Sequence, residues 1–312
     1  MKILITGGLG FVGSHLAEKL CKNHQVIILT KNSSKIENVK NFINKIKIEK
    51  VNVTNFSKLK KSIELHKPDV IFHLAGETSH SKSFDNPISD LDVNTKSTIM
   101  ILEIIRTLNL KCRFILGSTL LVVGKPLKLP VTEKTPCNPT TIYGINRLTS
   151  EHYCKIYNTV YGLDTVIFRI TNSFGPREQV IPNKNAVNFL IFKASKKEEI
   201  SIFNNGKFFR DLIYISDVIS GIYTIMKKGK SGNLYWISSG RKTWFNNLGT
   251  LLEKTTNVKV KYVKTPTYTK KVDVGNFVVS NSKLRSLGWK PKISLQKGIC
   301  KTLKFLESHN SN

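Results

Sequence analysis

Along the first half of the chain, apolar residues come in short unbroken runs, separated by stretches in which they recur every three or four positions. The runs KILITG (2–7), QVIILT (25–30), KVNV (50–53), DVIFHLAG (69–76), RFILGST (113–119) and DTVIFRIT (164–171) are rich in Val, Ile and Phe. Near-continuous apolarity over so few residues predicts strands buried on both faces. Between them, SHLAEKLCK (14–22), FSKLKKSIEL (56–65), NTKSTIMILEIIRTL (94–108) and YGINRLTSEHYCKIY (143–157) carry the helical period. Strand and helix in alternation imply right-handed crossovers and a doubly wound parallel sheet, an α/β fold. After Gly175-Pro176 the rhythm changes to shorter strands (ISIFNN, NLYWIS, VKVKYV) between looser segments. The reading is two units, residues 1–173 and a smaller α/β unit over 174–312, of which the segment near 208–225 packs back on the first.

Length and composition narrow the class. At 312 residues the chain can bury a full core and form two such units. Apolar residues at 40% and aromatics at 9% suit a globular protein that stays in solution. No run approaches the roughly eighteen apolar residues that span a bilayer. Glycines interrupt the apolar start MKILITGGLGFVG and no small-residue cleavage site follows, so it is read as folded protein and not as a signal peptide. Cys21, Cys112, Cys137, Cys154 and Cys300 are scattered, with no CxxC pair and no His cluster at ligand spacing. That disfavours zinc and a disulfide framework and fits the reducing cytoplasm.

The formal charge of +28 is the unusual number. Runs such as KLKK (58–61) and KKGK (227–230) stay short, and no RNP-like, zinc-finger or basic-heptad motif accompanies them. Nucleic acid is therefore not the expected partner, although the same field would attract an anionic small molecule.

Candidate chemistry begins where the first strand runs into ITGGLGFVGSHLAEKL. Gly7, Gly10 and Gly13 are spaced three apart, and Gly8-x-Gly10-x-x-Gly13 also satisfies the dinucleotide fingerprint. Such glycines allow a tight turn, a close approach to a pyrophosphate and a helix seated on the sheet, here with its N-terminus expected at Ser14-His15. The second strand ends at Thr30-Lys31-Asn32-Ser33-Ser34, where NAD-binding chains carry an acid for the ribose hydroxyl. Thr30 and Lys31 remove any repulsion of a 2′-phosphate, so among NAD(P) cofactors NADP is marginally favoured.

Together these features resemble the extended short-chain dehydrogenase/reductases, the nucleotide-sugar epimerase/dehydratase family typified by UDP-glucose 4-epimerase. TGGLGFVG (6–13) resembles the family's TGxxGxxG, which implies that Gly7, Gly10, Phe11, Val12 and Gly13 meet the cofactor. HLAG (73–76) is similar to the HxAx segment, implying cofactor contacts from Leu74, Ala75 and Gly76, with Thr78 beyond them on the substrate. Asn94 falls at the asparagine of NxxGT, and Asn52-Val53 at an adenine-contacting position where an aspartate is usual. LGSTLLVVG (116–124) resembles the catalytic strand with Thr119 as its hydroxyl, and YGINR (143–147) the YxxxK signature. FRITNSFGPR (168–177) and FFRDLIYISDV (208–218) imply substrate contacts from Asn172 and from Arg210, the latter at the nucleotide diphosphate. LGWKP (287–291) is similar to the family's C-terminal turn. The resemblance covers almost the whole chain. It departs from the family at Arg147 for the catalytic lysine, at Thr30 and Asn52 for acids, and at Leu120-Leu121, where dehydratases carry Asp-Glu.

The implied reaction moves a hydride between a sugar carbon and nicotinamide, and needs one group to take and return the hydroxyl proton. A tyrosine does both only if its pKa, ordinarily about 10, is brought toward neutrality. Tyr143 and Arg147 share a helical face. At an effective dielectric of about 20, a unit charge about 5 Å away supplies roughly 3 kcal/mol, or about two pKa units. Arginine keeps the charge but changes its shape, so a helix pair in a site that has lost catalysis is the competing reading. His73, by residue type alone, reads as a packed strand residue, and Arg210 beside Asp211 as a surface ion pair. Three functions stay open: a 4-epimerase, an NADPH-dependent 4-keto-sugar reductase and a non-catalytic dinucleotide-binding or RNA-associated protein. The whole-chain resemblance favours the first and Thr30-Lys31 the second. The resemblance also implies a homodimer through helices 94–108 and 143–157.

Overall fold

The computed structural model describes residues 1–77, 80–180, 186–264 and 272–309. The chain opens with β1 (Lys2–Thr6), α1 (Phe11–Leu20), β2 (Gln25–Thr30), β3 (Ile46–Lys50), α2 (Phe56–His66) and β4 (Val70–His73). Two short helices, α3 (His80–Asp85) and α4 (Pro87–Leu91), lead through a π-helical turn at Asp92–Lys96 into α5 (Ser97–Thr107). Then come β5 (Arg113–Thr119), α6 (Ile142–Tyr161), β6 (Thr165–Ile170), β7 (Asn172–Phe174) and α7 (Ala186–Ser195). Next are β8 (Ile200–Phe203), β9 (Phe209–Arg210), β10 (Leu212–Tyr214), α8 (Ile215–Lys228) and β11 (Leu234–Ile237). The chain ends with β12 (Thr243–Trp244), α9 (Phe245–Thr256), β13 (Val260–Val263), α10 (Ser282–Arg285) and α11 (Leu295–His309).

Seven parallel strands form the main sheet in the order β11-β6-β5-β4-β1-β2-β3. Its central strands are buried on both faces because alternate residues enter different cores. Ile3 and Ile5 pack with Leu16, Ala17 and Leu20 of α1 and Val218 and Ile222 of α8. Leu4 packs on the other side with Leu59 and Ile63 of α2 and Ile101 and Ile105 of α5. This is the geometry that continuous apolar runs encode. The sheet is not confined to the first half: β11, from beyond residue 174, pairs with β6, and α8 covers the sheet face beside α1. The rest of the second half forms three two-stranded pairs, β10-β7, β12-β9 and β13-β8.

Two expectations shift. The third strand lies at IKIEK (46–50) and not at KVNV (50–53). It is an edge strand, so it alternates: Ile46 and Ile48 pack on the core while Glu49 faces α2, accepting from Ser62 at 2.7 Å and pairing with His66 at 2.7 Å. Val51 and Val53 are buried beyond the strand end, where both line the cleft and Val51 also joins the core on the α2 face of the sheet. The first helix begins at Phe11 with Gly10 as its cap, so its open N–H groups belong to the glycine turn and not to Ser14-His15. His15 instead lies one turn inside, its Nε2 3.0 Å from the Pro176 carbonyl.

Candidate functional site

A cleft of about 1640 Å³ runs along the C-terminal ends of β1, β2, β4, β5 and β6, between the sheet and the smaller strand pairs of the second half. This is where open α/β sheets hold their ligands. Every residue expected to touch cofactor or substrate lines it, except Asn94 and Arg147, which lie behind the wall, and Thr78, which falls outside the described residues.

At the glycine end the demand for glycine is steric. Gly7 has a φ of +70°, and a Cβ there would stand 2.8 Å from Ala75 N. A Cβ on Gly13 would stand 2.3 Å from the Gly7 carbonyl oxygen. Thr30, Lys31, Asn32, Ser34 and Lys35 form the adjoining wall. The Asn32 side chain folds that loop by accepting from Ser34 N–H at 3.2 Å and from the Ser34 hydroxyl at 2.7 Å.

The centre of the cleft is assembled by β5 and α6. Thr119 ends β5, and its Oγ1 accepts from Leu121 N–H at 3.3 Å, leaving its own proton available to donate. Thr141 caps α6 by accepting from Gly144 N–H at 3.0 Å, so Tyr143 sits in the first turn, buried but lining the cleft. A side chain on Gly144 would put its Cβ 2.7 Å from the Leu121 carbonyl, so this glycine lets α6 press against the turn after Thr119. Arg147 lies one turn on, 2% exposed, with Cζ 5.9 Å from the Tyr143 ring centroid. Its Nη2 donates to the Ala75 carbonyl at 3.0 Å, whereas its Nε and Nη1, like Asn94 Oδ1, are buried without a protein partner.

His73 explains how the Leu74-Ala75-Gly76 segment is held. The Ser97 hydroxyl donates to the Val93 carbonyl, so it must accept from His73 Nε2–H at 3.0 Å. His73 Nδ1 then accepts from the Thr6 hydroxyl at 2.8 Å, and Thr6 Oγ1 accepts from Ala75 N–H at 3.1 Å. The chain needs a neutral imidazole. Burial, reinforced by the Arg147 charge, lowers the His73 pKa to about 3. Its packed-strand reading therefore holds, with a specific task added.

Behind the site, Glu151 and Arg169 form a fully buried ion pair at 2.6 Å, and Glu151 also accepts from Ser118, the neighbour of Thr119. Sequence reasoning missed this pair, since neither residue carries a signal outside its three-dimensional context. It also missed Asp273, which pairs with Arg210. Arg210 is not a surface residue bound to Asp211. It is buried, donates to the Phe209 carbonyl at 3.1 Å and stacks over Phe208 with Cζ 5.0 Å from the ring. Asp211 is wholly buried and tethers Ser239, Gly240 and Val279 through their N–H groups, and burial pushes its carboxyl up to about 6. Asn172 lines the cleft with a buried, unpartnered Oδ1.

The sequence profile of the family described as GDP-mannose 4,6 dehydratase matches residues 4–302. The chain belongs to that family. Its members are extended short-chain dehydrogenase/reductases, the nucleotide-sugar epimerases and dehydratases. A protein of Methanocaldococcus jannaschii, provisionally named a UDP-glucose 4-epimerase, is 32% identical over 311 residues, 99% of each chain. The crystal structure of UDP-glucose 4-epimerase with UDP-glucose from Thermotoga maritima superposes with a TM-score of 0.92 at 29% identity, covering 99% of this chain and 100% of that one. The UDP-glucuronic acid 4-epimerase of Bacillus cereus, in complex with UDP-glucuronic acid and NAD, gives a TM-score of 0.86 at 26% identity, covering 99% and 100%. Among the described residues, this family member has no group of His, Cys, Asp or Glu fit to hold a metal ion and no helix long and apolar enough to cross a membrane.

Proposed function

We propose that the chain inverts C4 of a nucleotide-diphosphate sugar, using bound NAD or NADP. One observation carries the reading: Thr119 and Tyr143 face the same cleft with a cation behind the phenol, and the residues after Thr119 are Leu120 and Leu121. The cleft fits a dinucleotide. Gly7 and Gly13 have no room for side chains where a pyrophosphate would approach, and behind Gly76 in the wall the unpartnered Arg147 Nε, Arg147 Nη1 and Asn94 Oδ1 form a buried polar backing to the ribose end. When bound, the nicotinamide supplies reversible hydride exchange with the sugar carbon.

The chain's own residues do the rest. Tyr143 takes the proton of the sugar 4-hydroxyl and later returns it. Thr119 donates to the same sugar oxygen and fixes its distance from the phenol. Arg147 keeps a positive charge 5.9 Å from the ring, where it attracts the negative charge of a phenol that has given up its proton. Arg210 and Asn172 serve the diphosphate and sugar ends. Leu120 and Leu121 provide no acid and base for loss of water, which disfavours a 4,6-dehydratase.

A second reading, an NADPH-dependent reductase of a 4-keto sugar, is favoured by Thr30 and Lys31 on the wall beside the glycine turn. Incubating the purified protein with a UDP-sugar and no added cofactor separates the two. Interconversion supports the epimerase, and stoichiometric loss of NADPH on a keto-sugar supports the reductase. Absence of both sinks the catalytic reading. The proposed assembly is a homodimer in which a second copy covers the apolar face of α6, where Ile145, Ile156 and Val160 are 51%, 54% and 62% exposed.

A further inference from the structure

We infer that Gly76 is the positioning residue for Arg147: the missing side chain at 76 admits a guanidinium at 147 and fixes its placement beside Tyr143. A Cβ built on Gly76 would lie 2.1 Å from Arg147 Nη2 and 2.5 Å from Asn94 Oδ1. Gly76 is not among the glycines with positive φ, so its backbone would accept any residue. What excludes a side chain is the guanidinium, with the Asn94 side chain as a second, looser obstacle. The same Nη2 donates to the carbonyl of Ala75, so one nitrogen bonds position 75 and fills the space beside position 76.

Neither side of this contact yields readily. Ala75 is tied through Thr6 and His73 to Ser97. The α6 backbone is tied to the π-helical turn, where Thr95 Oγ1 donates to the Asn146 carbonyl at 2.9 Å and Ser150 Oγ to the Asn94 carbonyl at 2.6 Å. Asn146 adds a bond to buried Asp90 at 2.7 Å. A methyl group at 76 must therefore displace the end of the arginine, breaking its bond to Ala75. Lysine is one bond shorter than arginine and carries no fork. An ammonium at 147 would stop short of the place that Nη2 occupies, removing the tighter of the two contacts at 76 and leaving only the one with Asn94 Oδ1.

The inference builds on the assignment of Tyr143 and Arg147 to catalysis, but its core is a packing relation that can be read without turnover. Gly76→Ala, Arg147→Lys and the double variant form a cycle, each measured for thermal unfolding midpoint, for NAD and NADP dissociation constants by fluorescence quenching, and for the pH profile of sugar conversion. Gly76→Ala is expected to weaken cofactor binding and kcat by about tenfold or more in the arginine background, and by about threefold or less in the lysine background, where only the Asn94 contact remains. The unfolding midpoint should show the same non-additivity. Equal losses from Gly76→Ala in both backgrounds would overturn the coupling, as would failure of Gly76→Ala and the double variant alike to fold. A double variant that folds where Gly76→Ala does not supports it. If no variant, nor the wild type, converts any sugar while midpoints and dissociation constants remain coupled, the matched pair stands and only the catalytic assignment falls.

Discussion

Arg147 and His73 are both buried beside one short loop and play opposite electrical parts. Arg147 carries a charge into the interior with a single hydrogen bond among the described residues, whereas His73 must stay neutral to link Thr6 with Ser97. Removing the phenol tests the first part: Tyr143→Phe should lower kcat by about 100- to 10,000-fold, as loss of a proton-transferring group does, with NAD(P) affinity nearly unchanged. A variant with wild-type turnover would place the proton transfer elsewhere. The second part appears in acid. Burial lowers His73 to about 3 and His15 to about 4, the latter opposed by its bond to the Pro176 carbonyl. In the unfolded chain both imidazoles accept protons below about 6.5, so unfolding takes up protons and the fold loses stability as pH falls from there toward 4. Each contributes a slope of up to about 1.4 kcal/mol per pH unit. Urea unfolding between pH 7 and 4.5 should show that loss, and His15→Asn should flatten it. An unchanged slope would mean that His15 charges inside the fold.

At the scale of elements, α6 organises the site. Its first turn presents Tyr143, its second holds Arg147, and its third carries Glu151 into the buried pair with Arg169. Glu151 also accepts from Ser118, which fixes the strand end that carries Thr119. Glu151→Gln removes one partner of a fully buried pair and should destabilise the fold by about 3–5 kcal/mol, measured by chemical unfolding. A loss below about 1 kcal/mol would show the pair to be dispensable, as exposed pairs are. Most of this framework was legible in the sequence. The strand runs and the helix period reported burial on two faces or on one, and those are the signals that a doubly wound sheet writes most strongly. The edge strand at 46–50 escaped because Lys47 and Lys50 are exposed and Glu49 meets polar groups, while Val51 and Val53 mimicked a strand from within the cleft wall. The glycine turn and the Tyr143–Arg147 spacing were legible because they are local. The Glu151–Arg169 pair, Asp273 and the contact of Gly76 with Arg147 join residues far apart in sequence, and no periodicity encodes such meetings.

For the whole molecule, the charge of +28 suits anionic ligands and repels like copies, so any self-association must draw on apolar contact. Ile156 and Val160 stand more than half exposed on α6, beside the α5 helix that packs against it. Ile156→Asp should convert the proposed dimer to a monomer in light scattering, with sugar conversion falling less than assembly. A wild type that is monomeric at all concentrations would remove the dimer from the proposal. The sheet has a consequence for synthesis. Because β11 completes it from residues 234–237, a nascent chain that has emerged only as far as the GPR turn presents β6 as an unpaired margin, with a row of open amides. The first 173 residues therefore lack one strand of the sheet that they mostly build. Expressed alone, residues 1–173 should pair edge to edge and collect as aggregate, and extending the fragment to include β11 should restore it to solution.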